Sequence, residues 1–203
     1  MQTAYSYWRI IELRSIICAQ KKHVVKVASM KLYQLQTDKQ KKHVQELFLE
    51  FYTWALDRNK EEYGLVFDAD GPQALVKRYM ASLDEFLPPS GSLLLAYIDE
   101  QPAGVACMRT LDNGIYEIKR MYVKPQYRGK GIGRALLQEQ INRARQHNVS
   151  IIRLDSSRFM TTAHSLYRSV GFKDIEPYKG SEIPAEMQKY WIFMELKLNS
   201  TMP

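Results

Sequence analysis

The sequence predicts one domain with a mixed α/β fold, in which an antiparallel meander precedes a parallel crossover. Three observations support this prediction. The 203 residues are 45% hydrophobic, which is enough to build one sizeable core. The tripeptide Asp112-Asn113-Gly114 stands between two apolar runs and indicates a hairpin. Strand and helix patterns then alternate, and such an alternation favours a sheet with helices packed on its faces.

Hydrophobic periodicity gives the elements in order. Apolar residues spaced by three and four through 41–56 predict a helix, and a second helix is predicted at about 73–86. The remaining strands and helices are predicted from short apolar runs and from helical spacing. Strands are predicted at 32–35, 92–98, 103–110, 115–123, 151–154, 172–175 and 191–198, and helices at about 132–147 and 163–170. Gly171 is the expected C-cap of the last helix.

Composition excludes several classes of protein. No stretch of about 18 apolar residues exists, which argues against a membrane-spanning helix. Two cysteines, Cys18 and Cys107, are too few for a disulfide scaffold or a multi-cysteine zinc module. The four histidines lack metal-ligand spacing, so no metal site is predicted. An aromatic content of 11% argues against disorder.

The formal net charge of +7 is unevenly distributed. Residues 1–29 contain five basic residues and one acidic residue, so this segment carries +4 and the rest carries +3. We interpret 1–29 as a basic lead segment without a catalytic role, and 30–203 as the domain. A transit peptide is the alternative, but the segment contains little serine. A nucleic-acid partner is disfavoured because the positive charge is small and no helix-turn-helix pattern is present.

Three glycines, at 129, 131 and 133, alternate between a predicted strand and the start of a predicted helix. Backbone N–H groups freed from Cβ atoms can curl around an anion there, and the helix N-terminus adds a positive dipole end. Arg128, Lys130 and Arg134 add side-chain charge, so the turn is typical of pyrophosphate binding. The Walker A pattern is absent, and Leu136 stands where a dinucleotide fingerprint needs a small residue.

The run from Ile118 to Gly133 contains Arg-x-x-Gly-x-Gly at 128–133, and a second motif covers Ala163 to Phe172. Together they resemble the GNAT N-acetyltransferase superfamily over about residues 30–198. The resemblance implies a mostly antiparallel sheet of six to seven strands, split between strands four and five and flanked by about four helices. It also implies a cytoplasmic enzyme, and a homodimer is possible because GNAT domains often pair through sheet edges.

The implied activity is transfer of the acetyl group of acetyl-CoA, as cosubstrate, to a primary amine of a small or amino-acid-like molecule. Neither a nucleic acid nor a membrane is an expected partner. Two alternatives remain open: a protein or peptide N-acetyltransferase of the same fold, and a non-catalytic acyl-CoA-binding protein.

The resemblance implies that two segments of this chain, 121–123 and 128–134, bind the cofactor. Backbone groups of Met121, Tyr122 and Val123 would meet the pantetheine arm, although apolar strand residues are also ordinary core. The turn that would hold the pyrophosphate is formed by Arg128, Gly129, Lys130, Gly131, Ile132, Gly133 and Arg134. Basic residues from Lys119 to Arg134 are interpreted as one site for the phosphates of CoA.

Two residues are the catalytic candidates. Glu117 matches the position of a family glutamate that acts as general base, and strand alternation predicts that it shares a face with Lys119, Met121 and Val123. The alternative is a surface carboxylate paired with Lys119 or Arg120. Tyr167 matches the family's tyrosine acid, and the alternative is a packed aromatic.

Two further expectations concern the cleft. Met160 stands where the family commonly has an asparagine that touches the cofactor. The acceptor pocket is expected between the first two helices, and its candidate residues are Glu50, Tyr52, Trp54, Glu61 and Glu62.

Overall fold

A computed structural model describes residues 29–66, 70–112 and 114–198, which contain seven strands and four α-helices. The predicted lead segment, apart from Ser29, lies outside the described residues. The strands are β1 (Met30–Gln34), β2 (Gly91–Ile98), β3 (Gln101–Asp112), β4 (Ile115–Val123), β5 (Ile151–Ser157), β6 (Lys173–Ile175) and β7 (Trp191–Lys197). The helices are α1 (Asp38–Tyr63), α2 (Gly71–Ala81), α3 (Ile132–Gln146) and α4 (Thr161–Ser169). Short 3-10 turns cover Leu83–Phe86, Pro125–Tyr127 and Ala185–Tyr190.

The strands form one sheet in the order β1-β2-β3-β4-β5-β7-β6. β4 and β5 are parallel, and every other neighbouring pair is antiparallel. β4 and β5 pair only from Ile115 with Ile151 to Glu117 with Arg153. Beyond these residues the two strands separate, which confirms the predicted mixed fold and its split between strands four and five.

Helices cover both faces of the sheet. α3 and α4 pack on one face, where Leu137, Ile141 and Tyr167 join a buried cluster. α1 and α2 pack on the other, through Leu47, Phe48 and Val76. α1 extends beyond the predicted 41–56 at both ends, because Thr37 and Gln40 form a capping box and Gly64 closes the helix in the left-handed region. In the described part of the chain, no helix is long and apolar enough to cross a membrane.

A β-bulge interrupts β4 at Arg120. Val105 pairs with Tyr122 and Cys107 pairs with Lys119, so three steps along β4 oppose two steps along β3. Arg120 has a φ of 51°, which is in the left-handed region. A bulge of this kind inserts an extra residue and re-aims the side chains around it.

The bulge changes which side chains of β4 share a face. Ile118 lies in the cluster on the α3 side, and Met121 and Val123 also pack on that side. Glu117 and Lys119 alternate with Ile118 and therefore lie on the opposite side. The predicted common face for Glu117, Lys119, Met121 and Val123 is wrong, because simple alternation holds only without the extra residue.

His164 makes the stability of the fold dependent on pH. The residue is 3% exposed, its Nε2 lies 3.1 Å from Ser156 Oγ, and burial lowers the pKa of the imidazole below the ordinary 6.5. The unfolded chain therefore binds this proton more readily, so the stabilisation is complete above pH 6.5 and is lost as the pH falls towards the lowered pKa. Each unit of lowering corresponds to about 1.4 kcal/mol.

We expect His164→Gln to flatten this dependence. Urea midpoints measured from pH 7.5 to 5 should fall less steeply in the variant than in the unsubstituted protein. Equal slopes for the two proteins would show that His164 does not cause the loss.

Candidate active site

Two cavities meet where β4 and β5 separate. The first, of about 450 Å³, lies between the end of β4, the glycine turn and the first turns of α3 and α4. The second, of about 360 Å³, lies between α1, α2, β4, β5 and the segment that precedes β7. Phe51, Met121 and Met160 border both cavities, so a molecule in one can reach a molecule in the other.

The glycine turn shapes the first cavity. Gly129 and Gly131 have φ angles of 74° and 79°, a region that only glycine enters without strain, and Gly131 is the N-cap of α3. A Cβ atom on Gly133 would lie 3.4 Å from Leu166 Cδ2, across the cavity wall. The residues therefore leave a cradle of backbone beside a helix N-terminus, as an anion requires.

A network of charges lines the second cavity. The ammonium of Lys119 lies 3.1 Å from Asp155 Oδ2, 3.4 Å from Glu182 Oε2 and 3.7 Å from Glu117 Oε1. Burial opposes the charge on Lys119, but the three carboxylates outweigh it and raise the pKa of Lys119. The Tyr178 hydroxyl joins the network: it donates to Glu117 Oε1 at 2.8 Å and lies 3.4 Å from Asp155 Oδ2.

A model of the acetyltransferase (GNAT) family matches residues 31–172, which is more than half of the chain. The chain belongs to this family. It is therefore a member of a family of acyltransferases that use acetyl-CoA. The match runs from Lys31 in β1 through α4, so it includes the residues that border the first cavity and most of those that border the second, whereas Glu182 to Pro184 and Trp191 lie beyond it.

Relatives and solved structures agree with the membership. An uncharacterised N-acetyltransferase of Schizosaccharomyces pombe is 36% identical over 100 residues, which are 48% of this chain and 61% of that protein. Human N-acetylaspartate synthetase is 32% identical over 97 residues, which are 46% of this chain and 32% of that protein. The chain thus spans less than two thirds of each relative. The PaiA N-acetyltransferase of Thermoplasma acidophilum, solved with coenzyme A, has the same fold, with a TM-score of 0.60 and 19% sequence identity. The superposition covers 84% of this chain and 99% of that one.

The predicted cofactor residues of this GNAT domain lie along the first cavity, with one exception. Those that border it are Met121, Tyr122, Val123, Arg128, Gly129, Gly131, Ile132, Gly133 and Arg134. The exception is Lys130, whose ammonium lies 5.4 Å from the centre of the Tyr127 ring. Arg128 donates from Nε to the Val123 carbonyl at 3.1 Å, and Arg134 donates to Ser169 Oγ at 2.9 Å. Their contact with the cofactor stays a prediction.

The basic residues near the turn do not form one phosphate site. Lys119 and Arg120 border the second cavity, on the face of the sheet opposite α3. Lys124 lies 3.6 Å from the Glu50 carboxylate. The interpretation of the whole group as a site for CoA phosphates is therefore wrong for Lys119 and Arg120, because the bulge turns the Arg120 side chain away from α3.

Glu117 is too deeply buried to contact a substrate in either cavity directly. Its side chain is fully buried, so it is not the surface carboxylate of the alternative interpretation, although Lys119 is nearby. Arg109 donates from Nε to Glu117 Oε2 at 3.0 Å, and its Nη2 lies 3.0 Å from the same oxygen in an ion pair. Burial raises the pKa of Glu117 against the opposing effect of Lys119. Among the described residues, Glu117 borders neither of the two cavities.

Asp155 is the carboxylate on β5 that sequence reasoning missed. It borders the second cavity, its side chain is 6% exposed, and it shares Lys119 and Tyr178 with Glu117. Its position one residue beyond the predicted strand 151–154, at the expected split, was the available signal.

Tyr167 lies at the boundary of core and cavity. The residue is 6% exposed, packs against Phe172 at 5.8 Å between ring centres, and borders the second cavity. Burial raises the pKa of its phenol, which keeps the proton in place at neutral pH. Tyr167 is thus a packed aromatic whose hydroxyl can still serve as an acid, and that role stays a prediction. Met160, at the position where the family commonly has an asparagine, borders both cavities and offers a thioether instead of an amide.

The acceptor residues expected on α1 are mostly elsewhere. Tyr52 borders the second cavity, whereas Trp54 borders the first. Glu50 accepts from the Tyr122 hydroxyl at 2.8 Å, and Glu61 and Glu62 pair with Arg58. Glu50, Trp54, Glu61 and Glu62 do not border the second cavity, because they lie on other faces of the helix, and their role as acceptor contacts stays a prediction. The missed contributors include Arg78 and Tyr79 of α2 and Trp191 at the start of β7.

Proposed function

We propose that the protein transfers the acetyl group of acetyl-CoA to the primary amine of a small, amino-acid-like molecule. The observation that carries the proposal is the pair of cavities that meet at Phe51, Met121 and Met160. One has an anion cradle and the other has charged walls. The name of the human relative, N-acetylaspartate synthetase, supports an amino-acid acceptor.

The residues of the first cavity fit the phosphates of CoA. Backbone N–H groups from 128 to 134 and the N-terminus of α3 would bind the pyrophosphate, with Arg128 and Arg134 as further donors. The free edge of β4 near Met121 and Val123 would hold the pantetheine arm. The bound cosubstrate supplies the acetyl thioester at the junction of the cavities.

The second cavity supplies the groups for proton transfer. The acceptor nitrogen forms a bond to the thioester carbonyl carbon, and the carbon–sulfur bond breaks. An alkylamine has a pKa near 10, so it must lose a proton, and Asp155 or the connected Glu117 would take that proton directly or through water. Tyr167 would donate its phenolic proton to the departing thiolate.

The walls of the second cavity favour a small acceptor over a peptide. Tyr52, Tyr79, Trp191 and the 182–184 segment line the cavity, whose volume is about 360 Å³. A peptide would need an open groove on both sides of the junction.

An acceptor screen tests the proposal. The purified full chain would be mixed with acetyl-CoA and with amino acids, polyamines or short peptides, and free thiol would be measured. Thiol release that requires a small amine is the expected result. A response to peptides alone would support the peptide alternative, and no release above the acceptor-free rate would contradict acetyl transfer.

Gly133→Val is expected to weaken CoA binding by about 10- to 100-fold. The added side chain begins 3.4 Å from Leu166 Cδ2 and enters the first cavity, and such overpacking costs about 1–3 kcal/mol. Calorimetric titration with CoA measures the change. Ala135→Val, in the same turn but outside the cavity, is the control, and equal affinity for both variants would contradict the assigned cofactor site.

A further inference from the structure

Arg120 is one of the residues that border the second cavity. The side chain is only 4% exposed. Its Nε donates to the Tyr52 hydroxyl at 3.0 Å, and its Cζ lies 3.9 Å from the centre of the Tyr79 ring and 4.9 Å from that of Phe86. Stacking and one hydrogen bond therefore fix the plane of the guanidinium in a nearly dry position.

The terminal nitrogens of Arg120 are left without adequate partners. Nη1 is buried and has no hydrogen-bond partner in the described residues. Nη2 is 3.9 Å from Glu182 Oε2, which is too long for a hydrogen bond. Glu182 is already engaged by Arg109 at 3.0 Å and by Lys119 at 3.4 Å. A buried donor without a partner costs about 1–3 kcal/mol, so this site calls for an explanation.

The backbone of Arg120 adopts a strained conformation. Its φ of 51° is unfavourable for a residue with a long side chain, and conformations of this kind concentrate at ligand-binding sites. The bulge brings the side chain to the cavity, where Arg78 of α2 also contributes to the wall.

We propose that Arg120 binds a carboxylate of the acceptor, so that the substrate class is amino acids rather than uncharged amines or polyamines. A planar guanidinium has two terminal nitrogens that match the two oxygens of a carboxylate, and in Arg120 Nη1 has no partner among the described residues while Nη2 is too far from Glu182 to donate to it. Asp155 borders the same cavity and is complementary to the amino group, so the charges of the cavity suit a molecule with both groups. This inference rests on the proposed function and names the acceptor class of the same site.

The test compares each acid with its amide. Alanine and aspartate would be offered beside alaninamide and the two amides of aspartate, and kcat/KM would be measured by thiol release. The unsubstituted protein should prefer acid over amide at the recognised carboxylate by about 10- to 100-fold. Arg120→Lys should lose most of that preference while its affinity for CoA remains unchanged.

Arg153→Lys is the matched control. Arg153 stacks 5.3 Å from the Tyr178 ring centre and pairs with Glu195 but borders neither cavity, so the acid preference should persist. A second readout needs no turnover: N-acetylalanine should raise the Tm of the unsubstituted protein more than its amide does.

The outcomes separate the two proposals. Equal use of acids and amides by the unsubstituted protein, or an unchanged preference in Arg120→Lys, would overturn the carboxylate site and leave acetyl transfer intact. Absence of thiol release with every acceptor would overturn acetyl transfer, and the Tm comparison would then decide the carboxylate site by itself. If Arg120→Lys does not fold, equal use of acids and amides by the unsubstituted protein would still overturn the carboxylate site.

Discussion

Tyr167→Phe is expected to lower kcat by about 100-fold or more, without loss of folding or of CoA binding. The substitution removes one hydroxyl and keeps the ring that packs against Phe172 in the core. A buried phenol with a raised pKa remains protonated at neutral pH and can give its proton to a thiolate, whereas phenylalanine cannot. Initial rates of thiol release with the best acceptor of the screen would measure the effect.

Tyr116→Phe is a suitable control for the loss of a phenol. Tyr116 lies in the same buried cluster and bonds to His147 Nδ1 at 2.9 Å, away from both cavities. Its variant should keep normal turnover. Equal kcat values for Tyr167→Phe and the unsubstituted protein would remove the acid role and leave Tyr167 as a packing residue.

Glu117→Leu is expected to lower the free energy of unfolding by about 3 kcal/mol. The leucine fills similar space, but it leaves the Arg109 guanidinium and the Tyr178 hydroxyl without their acceptor in a buried site. The comparison is Glu100→Leu, which breaks the ion pair between Glu100 and Lys31. The Glu100 side chain is 70% exposed, so this substitution should lower the free energy of unfolding by less than about 1 kcal/mol. Urea unfolding of both variants measures the difference, and equal costs would contradict a structural role for the network.

Glu117→Gln separates that structural role from catalysis. The amide oxygen can accept from Arg109 and the amide nitrogen can donate to Tyr178, so the variant should fold more stably than Glu117→Leu. If Glu117 is the base, kcat should fall about 100-fold and the acidic limb of the pH–rate profile should disappear. Asp155→Asn in the same assay shows which carboxylate carries the proton, and a normal profile for Glu117→Gln would exclude Glu117.

Local patterns were sufficient for the turn and for the order of elements. The glycines at 129, 131 and 133 lie beside the first cavity because strand, turn and helix follow one another directly in the chain. The second helix illustrates the limit of periodicity. It was expected to run to Phe86, but α2 ends at Ala81 and a 3-10 turn follows, in which Leu83 and Phe86 still reach the core. Apolar spacing alone does not reveal such a break.

The sequence by itself determined the mixed fold, the family and the glycine turn, because the patterns that indicate each are made of residues that are close in the chain. Only the tertiary structure decided the second cavity, where we propose that the acceptor binds. Its walls come from α1, α2, β4, β5 and the segment before β7, and no local pattern relates residues so far apart. The bulge at Arg120 was equally invisible, because it arises from the register with β3. That one extra residue moves Arg120 from an expected phosphate site to the border of the second cavity.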